Sequence, residues 1–271
     1  MDPLRLMAVL AHPDDESLGF GGALARYAAE GVETYLVTAT LGQRGRFRGQ
    51  PPGPGHPGPE RLAEIREGEL RCAARALGVR ELSLLGYADA ELDQADPREA
   101  VARIVVHLRR VRPQVVLTFA PEGAYGHPDH IAICQFTTAA TVAAADPRHA
   151  GDGQAPHAVS KLYYRASPRD EWEAYQAAFK RLTSHVDGVE REAAPWPEWA
   201  LTTVIDTREH WPTVWNAVSC HDSQIAAYQR LRELAPEHHE ALWGRQHYYR
   251  AFSTVNGGRR IETDLFDGLR R

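Results

Sequence analysis

Two short segments of the sequence combine histidine with carboxylates, and the first lies close to the N-terminus. Residues 11–16 (AHPDDE) place one histidine, His12, and three carboxylates within five positions. Such a cluster of like charge is costly unless a cation neutralises it. Imidazole together with carboxylate oxygen is a ligand set that suits zinc or a similar divalent ion. This segment therefore predicts a cation site.

The second segment covers residues 125–130 (YGHPDH) and begins a helical stretch. His127 and His130 are three positions apart, so on a helix both side chains face one direction. If the two segments meet, they supply three ligands and leave a position for water, which is the arrangement of a catalytic zinc. Either segment alone also fits a turn that caps a helix, so the interpretation depends on their meeting.

The elements around these segments indicate how they would meet. Apolar and β-branched runs alternate with helical runs, and turn residues separate them. We predict strands at 4–10, 32–40, 81–85 and 114–119, and helices at 18–30, 60–77 and 97–110 between them. This alternation is typical of an α/β, Rossmann-like doubly wound fold, with a mostly parallel sheet and helices on both faces. Each histidine segment follows a strand, so both should lie at the carboxyl edge of the sheet.

The second half of the chain has a less regular pattern. We predict a helix at 128–145, a strand at 159–165, a helix at 169–182, a strand at 200–206 and helical segments from about 211 onward. Residues 41–59 are rich in glycine, proline and arginine, a composition typical of a functional lid or a mobile loop. We interpret residues 1–271 as a single domain, with a core at about 1–165 and an irregular C-terminal extension at 166–271 that completes the fold and the substrate pocket.

These motifs resemble those of a known family. The AHPDDE segment, the TxGxxG-like segment at 40–45 (TLGQRG), the arginine-bearing helix that ends in LGV at 66–79, and GHPDH at 126–130 resemble the LmbE-like, or PIG-L, N-deacetylases. The resemblance covers the first half of the chain well. In the second half, HDSQ at 221–224 is similar to the family's late H-x-SQ segment. The resemblance implies a zinc-dependent hydrolase of linear amide C–N bonds.

The resemblance also implies roles at the metal centre. By position it makes His12, Asp15 and His130 the metal ligands and Asp14 the general base, a distinction that spacing alone does not make. It implies Zn²⁺ as the metal, with Fe²⁺, Mn²⁺ or Co²⁺ as alternatives. One carboxylate would hold the ion while its neighbour accepts a proton from the attacking water.

Three residues of the second segment take further expected roles. A protonated His127 would stabilise the developing oxyanion and then protonate the leaving amine. Asp129 would either orient His127 or cap the helix. Tyr125 matches a tyrosine that some family members place over the carbonyl oxygen, with plain packing as the alternative.

Two arginines are candidates for substrate binding. Arg66 stands at the family's substrate-facing arginine position and would bind sugar hydroxyls or a phosphate, unless it is a solvated surface residue. Arg44 would bind an anion or be plain surface charge. Gln43 stands where many family members carry an acidic residue, which weakens any inference about the glycoside that is bound.

The expected function is therefore metal-dependent N-deacetylation of an N-acetylglucosamine-type glycoside, such as a glucosaminyl-inositol or glucosaminyl-malate. Two alternatives stay open: another metal-dependent hydrolase of amides or phosphate esters, and a non-catalytic sugar-binding member of the same fold. A two-metal phosphoesterase is disfavoured because it needs more bridging carboxylates than these two segments offer.

Composition narrows the partners and the location. A net charge of −5 without a concentrated basic face argues against nucleic acid, and no apolar run approaches the roughly 18 residues of a membrane span. The three cysteines are far apart and form no CxxC motif, which predicts neither a disulfide framework nor a thiolate cluster and favours the cytoplasm. The expected partner is a small glycoside, and a homo-oligomer is compatible with the sequence.

Overall fold

A seven-stranded sheet forms the centre of the protein, and a two-stranded hairpin stands apart from it. The structure, a computed structural model, describes residues 3–149, 153–178, 183–186, 188–224, 231 and 233–270. The strands are β1 (Arg5–Leu10), β2 (Glu33–Thr40), β3 (Glu81–Tyr87), β4 (Val115–Phe119), β5 (Lys161–Arg165), β6 (Thr183–Val186), β7 (Val189–Glu192), β8 (Thr203–Asp206) and β9 (Arg245–Ser253). Strands β6 and β7 form the hairpin.

Helices cover the sheet, and local residues set their ends. The helices are α1 (Asp15–Leu18), α2 (Gly21–Ala29), α3 (Pro59–Ala76), α4 (Pro97–Val111), α5 (Gly123–Gly126), α6 (Pro128–Ala145), α7 (Arg169–Ala178), α8 (Trp211–Val218) and α9 (Pro236–Trp243). Helix α4 packs against α6, whereas α8 packs against α2 and α3. The Asp96 side chain caps α4 by accepting a hydrogen bond from the backbone of Arg98. Within the described ranges, every helix is too short or too polar to span a membrane.

The strand order places the ends of β1 and β4 side by side. The order is β3-β2-β1-β4-β5-β9-β8, and the first five strands are parallel. The chain winds outward from β1 in one direction and from β4 in the other, so the order reverses between these two strands. Ligands of such sheets bind at this switch point, beyond the carboxyl ends of the strands. The predicted α/β fold class is confirmed, and both histidine segments lie at the switch point.

The C-terminal part of the chain differs from the sequence prediction. Helical segments were expected from about residue 211 onward, but residues 245–253 form β9, which pairs antiparallel with both β5 and β8. The segment RQHYYRAFS carries aromatic residues that favour strands, and Gln246 and Tyr248 are buried at alternate positions. The predicted helix at 169–182 is described as 169–178, and its last four residues lie outside the described residues.

A disulfide joins two cysteines that the sequence did not pair. Cys72 on α3 and Cys220 just after α8 are linked, with their Cα atoms 5.8 Å apart, and Cys134 is a buried free cysteine. The expectation of no disulfide was therefore wrong. The two cysteines are 148 positions apart in sequence, so no short motif indicates that they pair. Packing of α8 against α3 brings the two cysteines together.

Replacing Cys72 with serine should lower the free energy of unfolding by roughly 2–5 kcal/mol, because the disulfide restricts the unfolded chain. The measurement is chemical denaturation under oxidising conditions. Wild type in the presence of a thiol reductant should lose the same stability, whereas the C72S variant should not respond to the reductant. Equal stability of wild type and variant without reductant would contradict the linkage.

A buried charge cluster fastens the C-terminal residues to the amino edge of the sheet, opposite the histidine segments. Its centre is the Glu262 carboxylate, which is 2% exposed, and Lys161 at the start of β5 is fully buried. The carboxylate receives hydrogen bonds or ion pairs from Lys161 (2.7 Å), Tyr163 (2.7 Å), Thr203 (2.9 Å), Arg250 (2.9 Å) and Asn256 (2.6 Å). This number of donors compensates the burial of the charge.

Candidate metal centre

Three side chains from the two histidine segments meet at the switch point. His12 Nδ1 lies 3.2 Å from His130 Nε2. The carboxylate oxygens of Asp15 lie 3.7 Å from His12 Nδ1 and 3.4 Å from His130 Nε2. Zinc bonds of roughly 2.1 Å in tetrahedral geometry separate neighbouring ligand atoms by about 3.4 Å. These separations are compatible with one divalent ion held by these three residues, which we call the His12–Asp15–His130 cluster. His12, His127 and His130 form another donor set that could hold an ion.

Local contacts fix the orientation of these side chains. Asp15 accepts a hydrogen bond from the backbone N–H of His12 at 2.7 Å. The ring of Phe119, the last residue of β4, stacks on the His130 ring with centroids 3.9 Å apart. Burial alone would raise the pKa of Asp15, but the neighbouring imidazoles of His130 and His12 lower that pKa below its ordinary value. The lowered pKa favours the ionised carboxylate, which is the form that can bind a metal.

The second nitrogen of His12 is held by carboxylates. His12 Nε2 lies 3.0 Å from Asp129 Oδ2 and 3.3 Å from Asp89 Oδ1. Burial would lower the pKa of His12, but Asp129 and Asp89 outweigh it and raise the pKa to about 10. A carboxylate behind a ligating histidine fixes the ring and directs its other nitrogen toward the metal. The contact supports a role for Asp129 in orienting His12, which the sequence did not suggest. His12, Asp89 and Asp129 also form a group that could itself hold a metal ion.

Replacing Asp129 with asparagine should weaken metal affinity by about 10- to 100-fold, the usual effect of losing such a supporting carboxylate. Asp129 also accepts hydrogen bonds from the backbones of Ala90 and Leu92. Asparagine has one acceptor oxygen where aspartate has two, so it cannot keep all of these contacts, and it carries no charge. Competition with a chelator measures the affinity, and Asp93→Asn, an exposed position nearby, is the control. Unchanged affinity of D129N would contradict this role.

His127 caps α6, and its surroundings favour the neutral imidazole. Its Nδ1 accepts a hydrogen bond from the backbone N–H of Asp129 at 3.2 Å, so its proton resides on Nε2. Burial and the nearby His130 and His12 lower the pKa of His127 to about 4. This lowered pKa favours a neutral donor, whereas the sequence led us to expect a protonated His127. Its ring lies at the cluster, with a nitrogen within 4.8 Å of those of His12 and His130.

Tyr125 lies in a strained turn that the hairpin supports. Ala124, its neighbour, has a φ of 64°, a left-handed conformation that is unusual for a residue other than glycine. Ser184 in β6 donates a hydrogen bond to the backbone carbonyl of Tyr125 at 3.0 Å. The Tyr125 ring meets the His130 ring edge-on at 5.4 Å. Burial raises the pKa of Tyr125 above its ordinary value, so its hydroxyl remains a donor.

Arg66 is buried beside Asp14. Its guanidinium donates to the carbonyl of Gly42 at 2.9 Å and to Asp14 Oδ2 at 3.2 Å. A side chain at Gly42 would collide with this guanidinium, so the glycine of the TLGQRG segment makes room for it. The alternative of a solvated surface arginine is thereby excluded. Burial raises the pKa of Asp14, and Arg66 partly opposes that rise.

Arg44 lies outside this buried group. Its side chain is half exposed and pairs with Glu91, and its backbone N–H donates to Asp89 Oδ2 at 2.8 Å. Arg48 similarly pairs with Asp222. The segment 41–59 is therefore fastened on two sides, to the turn after β3 and to the segment after α8. Arg44 is placed at the rim and not against the metal ligands.

Sequence reasoning missed several buried residues that support the site. Asp89 follows β3 and touches His12, but no motif marks it. His221 was noted only as part of a motif, yet its Nε2 lies 2.8 Å from Glu16 Oε1. The sequence did contain a signal for Asp89. Strand β3 is parallel to β2, so a carboxylate just after β3 lies at the same carboxyl edge of the sheet as the histidine segments.

The chain is similar to several known proteins. Residues 7–141 match the PIG-L family, described as GlcNAc-PI de-N-acetylase. A relative from Kineococcus radiotolerans, named 1D-myo-inositol 2-acetamido-2-deoxy-alpha-D-glucopyranoside deacetylase, is 35% identical over 98% of this chain and 83% of its own length. A conserved protein from Thermus thermophilus has a similar crystal structure, with a TM-score of 0.66, 26% identity, and coverage of 94% of this chain and 97% of that one. The N,N'-diacetylchitobiose deacetylase from Pyrococcus horikoshii has a TM-score of 0.63 at 22% identity, covering 82% and 71%, which indicates a shared fold.

Proposed function

This chain belongs to the PIG-L family of de-N-acetylases, and on that premise we propose that it hydrolyses the acetamide of 1D-myo-inositol 2-acetamido-2-deoxy-α-D-glucopyranoside (GlcNAc-inositol). The observation that carries the proposal is the His12–Asp15–His130 cluster beside Asp14, in a chain 35% identical to a deacetylase of that name over nearly its whole length. The products are acetate and a free amine on the sugar.

The His12–Asp15–His130 cluster would hold one divalent ion, which we propose is Zn²⁺, with Fe²⁺, Mn²⁺ and Co²⁺ as alternatives. An ion at this position supplies a Lewis acid that polarises the amide carbonyl and acidifies a water. The donor set of two imidazoles and one carboxylate supports zinc, since it is that of several catalytic zinc sites.

Asp14 is proposed as the general base. Its side chain is 17% exposed, so it reaches solvent while Arg66 holds one of its oxygens. It accepts a proton from the water that attacks the carbonyl carbon, and it then delivers that proton to the leaving nitrogen as the C–N bond breaks. Burial raises its pKa, which makes the carboxylate a better proton acceptor.

Two neutral donors are proposed to stabilise the oxyanion. His127 carries a proton on Nε2 because its Nδ1 is occupied, and Tyr125 keeps its hydroxyl proton because burial raises its pKa. Donors that are already in position cost no reorganisation when negative charge develops on the carbonyl oxygen. We propose Arg66 as a partner of Asp14, whereas sugar binding by Arg66 and anion binding by Arg44 stay predictions.

The experiment measures primary amine release from GlcNAc-inositol by protein that has been stripped with a chelator and reloaded with zinc, manganese, iron or cobalt. Amine release should require a metal, and N,N'-diacetylchitobiose should be a poorer substrate. No amine release with any of the four metals would overturn the proposal. Hydrolysis of a phosphate ester, or sugar binding without turnover, would then favour one of the alternatives.

A cytoplasmic location stays a prediction from the sequence, and so does a homo-oligomer. The Cys72–Cys220 disulfide does not favour the cytoplasm, because disulfides are rare in reducing compartments. The GlcNAc-inositol substrate is the partner that the relatives support.

A further inference from the structure

Asp14 has a backbone conformation that needs support. Its φ is 95°, in the left-handed region that residues other than glycine rarely adopt. Such a conformation costs about 1–3 kcal/mol and persists when surrounding contacts hold it. One contact does so directly: the Asp14 N–H donates to Glu16 Oε2 at 3.0 Å. The Glu16 carboxylate thus holds the residue that we propose as the base.

Glu16 is in turn held by a residue from the far end of the chain. Its other oxygen, Oε1, lies 2.8 Å from His221 Nε2 and also accepts a hydrogen bond from Ser17 Oγ. Glu16 and His221 are both fully buried. A buried pair of this kind seldom adds net stability, since the cost of desolvation offsets the attraction. We therefore expect the Glu16–His221 pair to fix the local geometry and not to add stability.

The segment around His221 is anchored to α3. Cys220 is joined to Cys72, and Ser223 donates its backbone N–H at 2.6 Å and its hydroxyl at 2.7 Å to the Glu69 carboxylate. Helix α3 also carries Arg66, which bonds to the Asp14 side chain. One helix therefore controls Asp14 along two routes, through Arg66 on its carboxylate and through His221 and Glu16 on its backbone.

We infer that His221 is a positioning residue for the deacetylation, acting through Glu16 on the backbone of Asp14. The inference rests on the proposed function of Asp14 as base. The hydrogen-bond partners of His221 Nε2 are Glu16 and Ser17, and through Glu16 it affects where Asp14 lies. Burial raises the pKa of Asp14 and the charge of His221 lowers it directly, so a neutral replacement that can still donate separates position from charge. A displacement of the base by about 1 Å is enough to lower turnover by about 100-fold.

The test compares His221→Leu with His221→Gln. Leucine removes the donor to Glu16, whereas glutamine can still donate to it. We expect H221L to lower kcat by about 10- to 100-fold with little change in KM or in bound metal, and H221Q to recover most of that loss. If His221 had only a structural role, H221L would alter metal content or folding, and H221Q would not restore kcat. Asp222→Ala, in the same segment but on the exposed ion pair with Arg48, should stay within about threefold of wild type.

A second variant keeps the test decisive if H221L does not fold. Replacing Glu16 and His221 together by leucine removes both charges, a change that buried pairs usually tolerate. This E16L/H221L protein should fold and bind metal, yet lose at least about 10-fold in kcat, because nothing accepts the Asp14 N–H. Wild-type kcat in H221L or in E16L/H221L would overturn the inference, as would a kcat loss matched by loss of metal. Inactive wild type would instead refute the proposed function.

Discussion

Replacing Asp14 with asparagine should lower kcat by about 100- to 10,000-fold while about one metal ion per chain remains bound. Asparagine has nearly the size and shape of aspartate and can still accept a hydrogen bond from Arg66, but it cannot take a proton from water. The His12–Asp15–His130 cluster does not include Asp14, so metal binding should persist.

The measurement is steady-state amine release together with metal analysis of the same preparation. Asp93→Asn, on the exposed turn after β3, is the matched control and should keep wild-type turnover. If D14N turned over as fast as wild type, Asp14 would not be the base. If D14N lost its metal, Asp14 would belong to the ligand set instead.

Replacing Glu262 with alanine should lower the free energy of unfolding by roughly 3–5 kcal/mol, the usual result of removing one partner from a buried ion pair. Lys161 is fully buried and would lose its counter-charge, while Tyr163 and Thr203 would lose their acceptor. Chemical denaturation measures the effect. Asp267→Ala, an exposed carboxylate in the same segment, should change the stability by less than about 1 kcal/mol.

The same cluster gives stability a defined dependence on pH. Burial would raise the pKa of Glu262, but the hydrogen bond from Lys161 and its other donors lower it from 4.5 to about 2. A carboxylate whose pKa is lower in the folded state stabilises the fold when the pH is above its unfolded-state pKa. This stabilisation is lost as the pH falls through the folded-state pKa. The difference in stability between wild type and E262Q should therefore shrink between about pH 5 and pH 2. A constant difference across that range would argue against an ionised Glu262.

Local sequence signals were sufficient for the first half of the fold and for the meeting of the two histidine segments at one edge of the sheet. Strands β1 and β4 are continuous apolar runs, and the turns after them carry His12, Asp15 and His130, so parallel pairing alone brings these residues together. Periodicity and capping rules use features that lie within a few residues of one another. The agreement is therefore greatest where the contacts follow from strand order.

Contacts between distant parts of the chain could not be predicted in this way. Glu16 and His221 are 205 positions apart, and neither carries a local sign of its partner. Arg66 is buried against Gly42, where a side chain would collide with the guanidinium. The charged sequence of the helix that carries Arg66 does not indicate this contact. The contact between Asp129 and His12 was not predicted for the same reason, since the two residues are 117 positions apart.

The position of β9 has a consequence for how the protein is made. This strand lies between β5 and β8, yet it comes from residues 245–253, near the end of the chain. During synthesis the first five strands leave the ribosome with the hydrogen-bonding edge of β5 uncovered, and such an edge invites pairing with other chains. The nascent protein therefore stays vulnerable to aggregation until residues 245–253 have been translated, and chaperones that shield strand edges should raise its yield.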